Sequence, residues 1–130
     1  MKGKKMQIEI LGKQYPLAYT VEAQGIIDKK IGGLKNFEKL FDGENTQDIL
    51  ENTLFLLHTL MQSAQNRERV KNKMLGIDAT FQEIPSIQDL SCMFEVKDVK
   101  DLIQQIAMTI QLGSKITIEL DEEKGKKKEK

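Results

Sequence analysis

Two stretches near the start of the chain alternate between large apolar and polar or small residues. A large apolar side chain recurs at every second position of residues 6–10 and again of residues 15–19. A period of two residues is typical of strands with one buried face. Gly12 and Lys13 lie between the stretches and predict the turn of a β-hairpin. Pro16 has no N–H to donate, which favours an edge position for the second strand.

Most of the remaining chain has apolar residues at every third or fourth position, which is the spacing of amphipathic helices. This spacing predicts helices over residues 21–31, 34–41, 47–73, 87–94 and 96–113. Thr20 is the expected N-cap of the first helix, and glycines at 32, 43 and 113 are expected to end three of the helices. The first helix has Val21, Ile26, Ile27 and Ile31 as its apolar residues. The longest helix has one apolar stripe, which consists of Ile49, Leu50, Thr53, Leu54, Leu57, Leu60, Met61 and Ala64.

The hairpin cannot be stable alone, so we expect it to pack on the helices that begin at Val21 and Gln47. Residues 115–120 alternate again, and either add a third strand near the C-terminus or form a frayed extension. Residues 121–130 contain no apolar side chain and are expected to be a disordered charged tail. We therefore predict an α+β, mostly α fold. It has one domain over residues 1–120, in which an N-terminal β-hairpin packs on a bundle of four to five helices.

Composition limits the classes of function that the chain can have. It has 130 residues with 20 basic and 20 acidic side chains, so no net charge attracts nucleic acid or an anionic membrane. The longest uncharged run, residues 52–66, is too short and too polar to span a bilayer. The N-terminus lacks the apolar core of a signal peptide, so secretion is not expected. Cys92 is the single cysteine, which we interpret as a small buried thiol in a reducing cytosol.

The residues that usually carry catalysis are scarce. His58 is the only histidine and lies in the middle of the longest helix, where we interpret it as an ordinary helix residue and not as a base or ligand. One histidine and one cysteine do not supply a zinc site of the usual nitrogen and sulfur type. No glycine-rich loop is placed to bind phosphates. We therefore expect a protein that is not an enzyme and that has no metal or cofactor.

A basic segment at the end of the longest helix is the best signal for nucleic acid. Arg67, Arg69, Lys71 and Lys73 place four positive charges within seven residues, a density that could grip phosphates. Basic residues near a helix C-terminus also complement the helix dipole without binding anything. A small nucleic-acid-binding regulator that uses this segment is therefore an alternative function, and a structural adaptor subunit is another.

Phe55 does not fit the apolar stripe of the longest helix. At about 100° per residue, it lies about 170° from the centre of that stripe. Its neighbours on the helix surface, such as Glu51 and Gln62, are polar. A monomer core does not obviously need a phenyl ring there, so Phe55 is a candidate for binding a partner.

The order of the elements and several short stretches resemble the tail assembly chaperones of long-tailed bacteriophages of Gram-positive hosts. The stretches are the hairpin IEILGKQYPLAYT, the junction KKIGGLKNF, the long helix DILENTLFLLHTLMQSAQN, and the later SIQDLSCMF and EVKDVKDLIQQIAMTIQLG. The resemblance therefore covers about residues 7–113. It rests on element order and short stretches and includes no catalytic motif.

The resemblance implies a protein that binds the long, apolar, helical tape measure protein, keeps it soluble and helps tail-tube subunits polymerise around it. It also implies a place in the cytoplasm of the bacterial host and absence from the mature virion. Helix capture requires spare apolar surface, for which the candidates are Phe55, Leu56, Phe81 and Phe94. The last three also fit an ordinary core, and we leave both interpretations open. The exposed hairpin edge and the surplus aromatic residue are compatible with a homo-oligomer, and the sequence leaves the oligomeric state open.

Overall fold

A computed structural model describes residues 6–32 and 46–114. The elements are β1 (Met6–Ile10), β2 (Lys13–Leu17), α1 (Val21–Ile31), α2 (Thr46–Leu75), α3 (Ile87–Met93), a 3-10 turn (Val96–Asp98) and α4 (Val99–Ser114). The described chain is mostly helical with an N-terminal two-stranded hairpin, which confirms the predicted α+β, mostly α class. The helix expected over residues 34–41, the segment 115–120, which the sequence leaves open between a third strand and a frayed extension, and the tail expected over 121–130 lie outside the described residues.

A tight turn at Leu11 and Gly12 joins β1 to β2, one residue earlier than the sequence predicted. Both residues have positive φ, 54° and 82°, as a two-residue type I′ turn requires. Lys13, which the prediction placed in the turn, begins β2 and pairs with Ile10. Leucine seldom takes a positive φ, so the pair Leu-Gly carries little turn signal and the predicted position was wrong by one residue.

Pro16 lies opposite Gln7 in the antiparallel ladder. Hydrogen-bonded and non-bonded pairs alternate along such a ladder, starting from the bonded pair of Ile10 and Lys13 that closes the turn. Gln7 and Pro16 therefore form a non-bonded pair. Because the nitrogen of Pro16 faces the outer edge of β2, the missing N–H removes no ladder hydrogen bond.

One face of the hairpin is buried against helices. Its buried residues are Ile8, Ile10, Tyr15 and Leu17. β2 packs on α2, and β1 packs on α4. The N–H of Ala18, just after β2, donates to the carbonyl oxygen of Leu60 in α2 at 3.2 Å. The support expected from the longest helix is therefore confirmed, whereas α4 takes the place that was expected for the first helix.

The long helix α2 lies at the centre of the molecule and contacts β2, α1, α3 and α4. Its buried residues are Thr53, Leu56, Leu57, Thr59, Leu60, Met61, Ser63 and Ala64. This buried band is wider than the predicted stripe, because a helix with neighbours on several sides is buried on more than one side. Three residues of the predicted stripe, Ile49, Leu50 and Leu54, are only half-buried at its margin.

The ends of the shorter helices are fixed by local hydrogen bonds. The Thr20 hydroxyl accepts a hydrogen bond from the N–H of Ala23 at 3.1 Å, and α1 ends at Gly32, whose φ is 83°. The predicted N-cap and the predicted glycine end of α1 are thus confirmed. α3 begins with a capping box, in which Ser86 and Asp89 each bind the other's backbone N–H.

The buried face of α1 includes only part of the apolar residues named from the sequence. Ala23 and Ile27 are buried, whereas Val21 and Ile26 are exposed. Ala23 and Ile27 are four residues apart and therefore share a face, and Val21 lies about 200° from Ala23 around the helix. The apolar residues named from the sequence thus include Ile27 of the buried face but omit Ala23, because they were chosen by size.

Two further predictions near α3 are also wrong. Cys92 is exposed and not a buried thiol. It lies about 200° around α3 from Leu90, the residue of α3 that is buried. Val96, expected to open the last helix, lies in the 3-10 turn and is exposed, and α4 itself begins at Val99.

Gly113 lies inside α4 and does not end it as predicted, because the helix continues to Ser114. A Cβ atom at Gly113 would lie 2.7 Å from the carbonyl oxygen of Tyr19 and 2.8 Å from the Tyr19 Cβ atom. These separations are shorter than close-packed atoms tolerate. The glycine therefore allows α4 to pack against the chain that leads from β2 into α1.

Candidate partner-binding surfaces

The four residues proposed from the sequence for partner binding lie in different parts of the molecule. Leu56 is 0% exposed and belongs to the core. The alternative interpretation is therefore correct for Leu56, which has no surface to offer a partner. Phe55 and Phe94 are half-buried and line the same groove. Phe81 is half-buried on the loop after α2 and is not among the described residues that line this groove.

The groove that contains Phe55 and Phe94 lies between the first half of α2, α3 and the start of α4, and we call it the α3 groove. Its volume is about 570 Å³. Its apolar lining includes Leu54, Phe55, Ile87, Phe94, Val96 and Val99. Val96 is 72% exposed and Ile87 is 40% exposed, so apolar surface faces the solvent at the edge of the groove. Contiguous exposed apolar surface in a globular protein commonly marks a binding site.

Phe55 is held between the core and a cation. Its ring packs against buried core residues, and the Nζ atom of Lys30 lies 5.3 Å from the ring centroid. Such a cation over an aromatic ring contributes about 0.5–1 kcal/mol at an exposed site. Contacts within the chain thus explain part of why a phenyl ring occurs among polar residues, and the rest of its surface lines the α3 groove.

The rim of the α3 groove carries charges of both signs. Lys30, Glu51 and Glu95 are among the residues that line it. The side-chain amide of Gln47 donates to Glu51 at 2.9 Å, and the Lys97 ammonium lies 3.6 Å from Glu95. Exposed contacts of this kind contribute little free energy. The rim therefore favours neither sign of charge in a partner.

Phe81 and Arg69 hold the loop after α2 against that helix. The Arg69 guanidinium lies 5.2 Å from the centroid of the Phe81 ring and donates to the side chain of Gln65 at 3.1 Å. Gln65 in turn donates to the carbonyl oxygen of Gln82. Both a residue proposed for partner binding and a residue proposed for nucleic acid are thus engaged in internal contacts.

The basic segment of α2 does not form one patch. Residues four apart share a helix face, so Arg67 and Lys71 lie on one side of α2 and Arg69 and Lys73 lie on another. The two pairs are separated by about 200° around the helix. A phosphate backbone is bound most strongly where charges converge on one surface, and this geometry gives the nucleic-acid alternative no added support.

A second groove, which the sequence did not suggest, lies where the start of α1 meets the end of α2, and we call it the α2-end groove. Its volume is about 700 Å³. Its exposed apolar lining is Val21, Val70, Met74 and Leu75. The sequence did not indicate these residues as a surface, because the end of α2 was interpreted only as basic and Val21 only as one of the apolar residues of the first helix. The available signal was the spacing of Val70 and Met74, which share a face of α2 beyond its buried part.

Burial shifts the pKa of two side chains. His58 is half-buried on α2, and burial lowers the pKa of its imidazole below 6.5. Burial, with a smaller effect from the nearby Asp28, raises the pKa of the Tyr19 hydroxyl to about 12. The Tyr19 hydroxyl and one carboxylate oxygen of Asp28 are buried and have no hydrogen-bond partner among the described residues. Tyr19 therefore stays protonated at neutral pH.

Three further observations bear on function. Within residues 6–32 and 46–114, no three histidine, cysteine, aspartate or glutamate side chains are grouped so that they could hold a metal ion. None of the helices in this part of the chain combines the length and apolar character needed to cross a bilayer. Comparisons of the chain with family models, curated proteins and solved structures found no match.

Proposed function

We propose that this protein is a non-catalytic tail assembly chaperone of a long-tailed bacteriophage. It binds the apolar, helical tape measure protein and keeps it soluble. It also helps tail-tube protein polymerise around the tape measure protein. The protein acts in the cytoplasm of the bacterial host and is released before the virion is mature. The sequence resemblance over about residues 7–113 supports this proposal.

The observation that carries the proposal is the α3 groove. Phe55 and Phe94 line it together with the exposed side chains of Ile87 and Val96. A groove between helices accepts the apolar face of an amphipathic helix, which inserts side chains spaced three and four residues apart. A partner built from such helices can bury apolar surface here that would otherwise aggregate in water.

The size of the groove suits reversible binding. Burial of one large apolar side chain contributes about 1.5–3 kcal/mol. Loss of translational freedom and ordering of the partner oppose this gain. A few side chains therefore give a moderate affinity, as a chaperone that must leave its partner requires.

Val96→Asp tests the use of the α3 groove without disturbing the core, because Val96 is mostly exposed at the edge of the groove. An aspartate there places a charge where an apolar side chain of the partner must bind. We expect binding to soluble tape measure fragments to weaken by about tenfold or more. Titration of purified protein against a labelled fragment measures this change. Phe55→Asp is less informative, since the Phe55 ring also packs on the core.

Met108→Asp is the matched control for Val96→Asp. Met108 is an exposed apolar residue of α4 that is not among the described lining of either groove. We expect Met108→Asp to bind like the wild-type protein, and both variants to keep the wild-type circular dichroism spectrum. Equal binding by the two variants would remove the α3 groove from the proposal. Failure of the wild-type protein to bind any fragment would contradict the proposed function itself.

A further inference from the structure

The α2-end groove combines apolar surface and positive charge on one face of a helix. Arg67, Val70, Lys71 and Met74 follow the spacing i, i+3, i+4, i+7, so they lie on the same side of α2. Val21, at the start of α1, lines the groove with them. Met74 is 80% exposed and Val21 is 88% exposed. The described part of the chain therefore leaves this apolar surface in contact with water.

Two of the three charged side chains among the described lining of the groove are positive. Arg67 and Lys71 line it and are exposed. Lys71 lies 4.0 Å from Glu68, an exposed pair that contributes little. Glu22 is the acidic residue among the lining, and its carboxylate already accepts hydrogen bonds from Asn66 at 3.1 and 3.2 Å. An incoming partner therefore meets two cations and one carboxylate, which give the lining one net positive charge.

We propose that the α2-end groove binds an amphipathic helix of another protein, whose apolar stripe is flanked by acidic side chains. The apolar stripe packs on Val21, Val70 and Met74, and the acidic side chains lie against Arg67 and Lys71. Charge complementarity fixes the orientation of the helix and disfavours basic partners. This surface is separate from the α3 groove, so the inference does not depend on the proposed function.

Two other occupants fit the groove less well. Pairing of two copies of this chain through their α2-end grooves would bring together two linings that each have one net positive charge, and like net charges repel. Nucleic acid would gain nothing from the apolar surface, and the other two cations of the segment, Arg69 and Lys73, lie on another side of α2. A helix with an apolar stripe and acidic flanks uses both features of the groove.

The test uses the full chain and three fluorescent peptides of about 20 residues, each designed to be helical. The first peptide has leucines at helical spacing with glutamates on both flanks. The second has lysines in place of the glutamates, and the third has serines in place of the leucines. We expect fluorescence anisotropy to show the acidic peptide binding at least about tenfold more tightly than either of the others. Its preference over the lysine peptide should shrink as salt is added, and equal binding of all three peptides would overturn the proposal.

A single and a double variant, with one control, test whether the peptide binds in this groove. Met74→Gln removes an apolar side chain but keeps the charges and a good helix former, and we expect it to weaken binding of the acidic peptide by about tenfold. Met108→Gln, the matched control, should bind like the wild-type protein. In the double variant Arg67→Glu/Lys71→Glu the preference should reverse in favour of the lysine peptide. A preference that stays unchanged in this double variant would contradict the charge assignment.

Three outcomes would assign the groove to another occupant and overturn the proposal. Displacement of the acidic peptide by duplex DNA at low salt would assign it to nucleic acid. A dimer in light scattering that Met74→Gln dissociates would assign it to a second copy. Peptide binding that tightens by about tenfold or more when Ile116, Ile118 and Leu120 are replaced by serine would assign it to the C-terminal segment of this chain.

Discussion

Burial of the single histidine makes the free energy of unfolding depend on pH. His58 is half-buried on α2, and burial lowers the pKa of its imidazole below the ordinary value of 6.5. In the unfolded chain the imidazole is in water and takes up a proton at about pH 6.5. Between the two pKa values the unfolded state therefore binds more protons than the folded state, so acid favours unfolding.

We predict that the wild-type protein loses more free energy of unfolding than His58→Gln when the pH falls from about 7.5 to about 5. The contribution of His58 is complete above pH 6.5 and is lost as the pH falls through the lowered pKa. Glutamine is neutral at all of these pH values and does not titrate. Urea unfolding at each pH measures the difference, and parallel losses in the two proteins would show that His58 does not cause it.

Residues with local roles were predictable from the sequence, and residues whose role depends on distant neighbours were not. Thr20 acts as an N-cap through a hydrogen bond with Ala23, three residues away, and the sequence contains both partners. Cys92 was assigned to the wrong environment and Leu56 was left between surface and core, because burial depends on which elements surround a helix and the helical pattern alone does not specify them. Phe55 and Phe94 were chosen separately, and only the fold shows that they share a groove.

At the scale of elements, close contact between α4 and the chain after β2 depends on a glycine. The Cα atom of Gly113 lies so near Tyr19 that an added Cβ atom would be 2.7 Å from its carbonyl oxygen. Gly25 offers a comparison, because it also lies in a helix and an added Cβ atom there has no neighbour within 4 Å. Substitution of Gly113 thus tests a packing requirement, whereas substitution of Gly25 tests only the intrinsic cost of glycine in a helix.

We predict opposite effects for the same substitution at these two glycines. Gly113→Ala should lower the free energy of unfolding by about 1–3 kcal/mol, because backbone atoms of Tyr19 must move. Gly25→Ala should raise it by about 0.5–1 kcal/mol, because alanine is the better helix former. Chemical denaturation of both variants measures these changes. Stabilisation by both substitutions would show that α4 does not need the glycine.

Element positions were predictable where the hydrophobic period was long and the caps were strong. α1 has the predicted bounds, and α2 and α3 differ from theirs by at most two residues. The start of α4 was missed because Val96 has the spacing of a helix but lies in a 3-10 turn. Neither groove could be predicted as a shape, since each forms between elements that are far apart in the sequence.

At the scale of the whole molecule, α2 carries part of both grooves. Phe55 in the α3 groove and Val70 in the α2-end groove are separated by about 22 Å along the helix axis. The residues between them include Leu57 and Leu60, which are buried in the core. Exposed positions in either groove can therefore be changed while the core stays intact, so binding can be measured apart from folding.

The proposed function requires that this protein keeps a helical, apolar tape measure protein soluble. Co-expression of a tape measure fragment with the wild-type protein, with Val96→Asp and with an unrelated helical protein tests it most directly, with soluble fragment as the measured quantity. We predict a high soluble yield and co-elution with the wild-type protein, a lower yield with Val96→Asp, and insoluble fragment with the unrelated protein. A soluble yield with the wild-type protein no higher than with the unrelated protein would contradict the claim.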